Sequence, residues 1–130
     1  MSANPNFAAA PKQDYCQVSA ANALRDGTGT TVLLTSGGAG GSRIERIRVR
    51  AAGNTTAGVV RLFLSLDGGA TKRLLEEVMV TAATPSTSVQ IFEADVVFPG
   101  GLQLKNANAQ IYAATNNPEA FNLFAEGGDY

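Results

Sequence analysis

From Tyr15 onward the chain is written in short apolar runs that alternate with polar residues and stop at glycine, proline or asparagine. A period of two is what a strand with one buried face requires. YCQVSAA (15–21), TTVLLT (30–35) and RIERIRVRAA (43–52) read as three strands, and the loops RDGTGT and SGGAGGS separate them. In the third, Ile47, Val49 and Ala51 fall on one face and Arg46, Arg48 and Arg50 on the other. Ile44 is out of phase with Ile47, which predicts a bulge or a strand start near Glu45.

The fourth run, GVVRLFLSLDGG (58–69), places Val60, Leu62, Leu64 and Leu66 on one side and Val59, Arg61, Phe63 and Ser65 on the other. Asp67-Gly68-Gly69 then reads as a turn into TKRLLEEVMVTAA. That segment also matches a helical stripe through Leu74, Leu75, Val78 and Met79. The strand is the better reading, because the segment follows a tight turn and ends in Val-Met-Val-Thr, a pleat-forming run. STSVQIFEADVVF (86–98) supplies a sixth run, ended by Pro99-Gly100-Gly101. LQLKNA, AQIYAATN and EAFNLFAEGG follow at short intervals.

Eight or nine strands without a long helix predict an all-β fold, a two-sheet β-sandwich of jelly-roll type. An immunoglobulin-like sandwich is the alternative, although it lacks its Cys…Trp…Cys signature. Val60, Leu62, Leu64, Ile91 and Leu104 are expected in the core. Residues 1–14, with Pro5, Pro11 and little that would pack, read as an extended N-terminal arm, and residues 15–130 as the sandwich domain. Phe7 has no local apolar partner in that arm, which makes Phe7, Pro11 and Lys12 candidate contacts with another subunit.

Composition narrows the chemistry. At 130 residues the chain can bury a core without a disulfide or a metal. Its ten basic and eleven acidic residues give a net charge of −1, so nucleic acid is not an expected ligand. No apolar run approaches the roughly eighteen residues of a membrane span and the N-terminus carries no export signal, so neither a membrane nor secretion is expected. Histidine is absent, which removes Ser-His-Asp and Cys-His arrangements and imidazole zinc sites. The lone Cys16 cannot form an internal disulfide and reads as a small buried residue.

The remaining candidates are weak. Glu76 and Glu77 are neighbours on a strand and point to opposite faces, so they do not share a site. Asp67-Gly68-Gly69 lacks the alternating oxygen ligands of a calcium loop, and SGGAGGS lacks the Lys-Ser/Thr pair of a phosphate loop. No catalytic, cofactor-binding or metal-binding residue is assigned, and an enzyme is not expected. One charge feature stands out: the cluster of Arg43, Arg46, Arg48 and Arg50. It reads as a solvated outer face, as an inter-subunit contact in which guanidinium forks meet carboxylates, or as a polyanion strip.

The block SRIERIRVRAAGNTTAGVVRLFLSLDGGATKRLLEEVMV, Ser42 to Val80, resembles a group of small virion structural proteins of tailed bacteriophages and prophages. An Ile-x-Arg-Ile strand, a Thr-Thr-Ala-Gly turn and an Arg-Leu-Phe-Leu…Asp-Gly…Arg-Leu-Leu hairpin recur there in this order. The resemblance implies a capsid decoration or cement subunit that self-associates, with a trimer favoured, and binds the major capsid protein. It also implies a place on the capsid surface after assembly in the host cytoplasm. A tail or head-fibre component with a carbohydrate-binding sandwich is the alternative. These motifs are scaffold motifs and transfer no contact residues.

Overall fold

The computed structural model describes residues 9–130. Eight strands follow in order: β1 (Ala10–Val18), β2 (Val32–Ser36), β3 (Ser42–Ala51), β4 (Gly58–Ser65), β5 (Arg73–Val80), β6 (Glu93–Leu104), β7 (Gln110–Thr115) and β8 (Phe121–Asp129). They form two four-stranded sheets, ordered β1-β8-β3-β6 and β2-β7-β4-β5. The fold is an all-β two-sheet sandwich. Pairing is nested, β1 with β8, β2 with β7, β3 with β6 and β4 with β5, all antiparallel.

The core is what the alternation demanded. Ile44, Ile47, Val49 and Ala51 of β3, Val60 and Leu62 of β4, Ile111 and Ala113 of β7, and Phe121, Leu123 and Ala125 of β8 are buried between the sheets. Leu104 joins them, while Leu64 and Ile91 pack against them half-buried. Each fully buried branched side chain contributes about 1.5–3 kcal/mol relative to exposure. The register of β3 shifts between Ile44 and Arg46 on both neighbours, at the predicted bulge; the extra residue returns Ile44 to the buried side.

The Asp67-Gly68-Gly69 segment is the β4–β5 turn. The Asp67 carboxylate accepts hydrogen bonds from the Ser65 hydroxyl at 2.8 Å and the Thr71 N–H at 2.9 Å, which fixes the reversal. The segment after it is strand β5 and not a helix, because β4 supplies a ladder partner that an isolated amphipathic stripe lacks.

Several expectations change. β1 begins at Ala10, so residues 10–14 of the expected arm are sheet, held by an unbroken ladder to β8 that no local signal reveals. Pro99-Gly100-Gly101 does not end its strand: β6 runs on to Leu104, and the ladder against β3 jumps from Val97 to Leu102. Gly100 and Gly101 both take positive φ there, so the triplet loops out of the sheet and the pairing resumes. Leu66 lies past the end of β4 and is exposed, whereas Phe63 on the opposite side is fully buried.

Candidate functional site

Strand β3 carries the arginine cluster in the middle of the β1-β8-β3-β6 sheet. The outward row of β8 presents Asn122, Phe124 and Glu126, and that of β6 presents Glu93, Asp95 and Val97. Arg46 and Arg48 both donate through Nε to the same oxygen of Glu126, at 2.7 and 3.0 Å. Arg50 donates to Asp95 at 2.8 Å and stands 3.4 Å from Glu93. Arg43 lies 3.1 Å from Glu45, but the contact is misaligned: its buried Nε makes no directed hydrogen bond. A Cβ at Gly101 would meet that Nε at 2.3 Å, so the glycine makes room for the arginine.

Four guanidiniums are therefore matched by the carboxylates of Glu45, Glu93, Asp95 and Glu126 within the same chain. Hydrogen bonds from Arg48 and then Arg46 hold the Glu126 carboxyl below the ordinary carboxylate range. Exposed pairs of this kind contribute little to stability. Their larger effect is to cancel the positive field that a polyanion strip needs.

Beside this ladder lies an aromatic pair that the sequence did not reveal. Tyr15 on β1 is 78% exposed and packs edge-to-face on Phe124 of β8, with centroids 6.2 Å apart. Gln17 donates to Asn122 at 3.0 Å in the next row. A shallow depression of about 440 Å³ is lined by Tyr15, Cys16, Gln17, Asn122 and Phe124. Tyrosine on an amphipathic strand was the only available signal, since its partner lies on the far end of the chain. The Cys16 thiol is half-buried, and burial pushes its pKa up to about 11, which leaves it protonated and unreactive at neutral pH.

The three expected arm contacts part company. Phe7 lies outside the described residues. Pro11 sits near the start of β1 on the exposed side. Lys12 turns inward: its ammonium is 3.5 Å from both Asp14 and Asp129, with only 12% of the side chain exposed. Around it, Thr35 donates to Asp14 at 2.6 Å, the Gly38 N–H donates to Ser42 at 2.8 Å, and the Ser42 hydroxyl is hydrogen-bonded to Asp129. The Ser42 hydrogen bond, then the Lys12 charge, holds the Asp129 carboxyl below its ordinary value. This cluster ties β1, β2, β3 and β8 together at one end of the sandwich, so Lys12 is a structural residue in this fold.

The other sheet covers the middle of its outer face, while Leu33, Leu74 and Met79 on its edge strands stay exposed. Arg61 is 4% exposed; it donates to Glu77 at 2.9 Å and to the Asn22 carbonyl at 3.4 Å. Arg25 donates to the same Glu77 oxygen at 2.8 Å. Glu77, exposed on edge strand β5, is thus shared by two arginines, and Arg25 and then Arg61 lower its pKa. Tyr112 lies on this outer layer, with its hydroxyl on Gln110 at 2.6 Å and Lys72 over its ring at 4.7 Å. Among the described residues no cluster of three or more His, Cys, Asp or Glu is placed to hold a metal ion.

No family model matches this chain, and no curated protein matches it. Among solved structures it is similar to a chain of the Cyanophage Pam1 capsid asymmetric unit, at 11% sequence identity and a TM-score of 0.48, over 100% of this chain and 94% of that chain.

Proposed function

We propose that this protein is a bacteriophage virion structural protein, a decoration or cement subunit of jelly-roll type that self-associates and braces the major capsid lattice on the capsid surface. The observation that carries the reading is where the phage-like block falls. Ser42 to Val80 spans β3, β4 and β5, which belong to both sheets and supply Ile44, Ile47, Val49, Val60 and Leu62 to the core. The resemblance thus lies on the frame of the sandwich. The nested order of strands supports the jelly-roll assignment.

A cement protein works by joining subunits, and several weak contacts on linked copies sum to tight attachment. A stiff sandwich suits that task. The neutralised arginine ladder favours a partner met through short-range, geometrically matched pairs over one gathered by a long-range field. The test is occupancy. Mass spectrometry and immunogold labelling of purified virions from the phage that carries the gene should place the protein on the head, and its removal should lower the temperature at which heads rupture. Virions that lack the protein altogether would end the proposal.

A second reading, a saccharide-binding module on a tail or head fibre, is favoured by the exposed Tyr15–Phe124 pair beside the Gln17–Asn122 amides. Aromatic faces and planar amides are the groups that hold a sugar ring. A glycan array with the purified chain, repeated with Tyr15→Ala, separates it from the first: saturable binding lost in the variant supports the module.

A further inference from the structure

Of the four strands at the sheet edges, β1 alone runs without a break. β2 slips against β7 between Leu33 and Thr35, β5 slips against β4 between Glu76 and Leu74, and β6 jumps against β3 between Val97 and Leu102. β1 pairs residue for residue from Ala10 opposite Asp129 to Val18 opposite Phe121. A bulge that twists the edge away is one device that stops a sheet edge from templating another strand. Three edges carry a register shift and β1 does not.

β1's guards are of another kind: Pro11 near its start, and inward-pointing charges that are neutralised in place. Its two charges, Lys12 and Asp14, are paired with each other, and Lys12 is held further by Asp129. Its outward row is Pro11, Gln13, Tyr15 and Gln17, all uncharged. Among the described residues its backbone bonds only to β8, so the N–H and C=O groups on its far side are available to a further strand.

We propose that a second copy of this chain pairs antiparallel along the β1 edge, about a two-fold axis at Tyr15, joining two β1-β8-β3-β6 sheets into one continuous sheet. The self-complementarity of the strand selects this occupant. In that register Tyr15 faces the same tyrosine of the second copy, Gln13 faces Gln17, Asp14 faces Cys16 and Lys12 faces Val18, so no two like charges meet. A register centred one residue earlier sets the two Asp14 carboxylates opposite each other, which is destabilising. The chosen axis also extends the edge-to-face contact of Tyr15 and Phe124 into a row of four rings. The arginines outside that row are already paired within each chain, so the joined faces bring no net repulsion.

The contact is two-fold and departs from the trimer that the family resemblance implies. It does not rest on the virion reading. Light scattering on the purified full chain should give about twice the 13.4 kDa chain mass. Tyr15→Lys sets like charges across the axis without touching a buried face, and should halve that mass while the circular dichroism spectrum is kept. In a Cys16→Ala background, Tyr15→Cys should give a covalent dimer with a short bis-maleimide, and Met79→Cys, exposed on the other sheet, should not. A mass of one or three chains, or a dimer indifferent to Tyr15→Lys, would overturn the proposal. Neither measurement involves capsids, so its failure is distinct from failure of the proposed function.

Discussion

The two sheets present the same alternation and meet opposite fates on their outer sides. On β1-β8-β3-β6 the outward rows stay open, and arginines are matched with carboxylates in solvent. On β2-β7-β4-β5 the chain folds back over itself: Ala21 bridges Thr115, the Asn22 N–H donates to the Thr115 carbonyl, and Arg25 reaches Glu77. Arg61 is held under this layer by the Asn22 carbonyl, and Phe63 and Ala114 on the same side of the sheet are buried as well, separate from the main core. An arginine with the same strand environment is therefore a solvated surface group on one sheet and a buried structural group on the other. What differs is the loop between β1 and β2, which covers the middle of one face at Arg61 and Thr115.

That contrast is sharpest at Phe63. Phe63→Ala should cost about 3–5 kcal/mol, because the covering layer cannot collapse into the void; urea unfolding measures it. A loss under about 1 kcal/mol would mean the layer is loose. Arg61→Met should come next, near 1–3 kcal/mol, since removal of the guanidinium leaves the Asn22 carbonyl without that donor. Gly27→Ala probes the same layer from above. Gly27 has φ of +86° and its Cβ would sit 2.3 Å from the Lys72 carbonyl oxygen, so the substitution should loosen the loop and speed amide exchange between residues 20 and 30.

Acid should act on both faces at once. Asp129, Glu126 and Glu77 are all held below the ordinary carboxylate range by hydrogen bonds and positive neighbours. Their contribution is fully present above the unfolded value, near pH 4, and is lost as pH falls through that value towards the lower folded ones. The thermal midpoint should hold from pH 7 to about 5 and then fall. A midpoint that rises on acidification would contradict the pairing. The smallest effect belongs to the open face: Arg48→Ala should change stability by less than about 1 kcal/mol, since its pair with Glu126 is solvent-screened. A loss there equal to that of Arg61→Met would erase the distinction between the two sheets.

Strand identity was legible wherever the period of two was clean. Ile47, Val49 and Ala51 could be assigned to one face from spacing alone, and the phase slip at Ile44 announced its bulge, because pleat geometry ties side-chain direction to residue parity. At β4 the rule puts Arg61 and Phe63 opposite Val60 and Leu62, as the structure does, yet both are buried on that far side. Parity separates two faces; it does not say whether either is covered. Pro99-Gly100-Gly101 read as a stop because the local turn signal is identical whether a strand ends or bulges.

The candidate site was less accessible. Arg43, Arg46, Arg48 and Arg50 were evident, but their partners Glu93, Asp95 and Glu126 lie on strands distant in sequence, so their neutralisation was invisible. Tyr15 gained its meaning only from Phe124. The inward turn of Lys12 followed from β1 starting at Ala10, five residues before its apolar pattern begins. A slab of alternating strands and a hairpin at Asp67 follow from local pattern, since each depends on neighbours within a few residues. What lies over Arg61, which charges cancel and which edge is left open emerge on folding, because they depend on pairings between residues far apart in the chain.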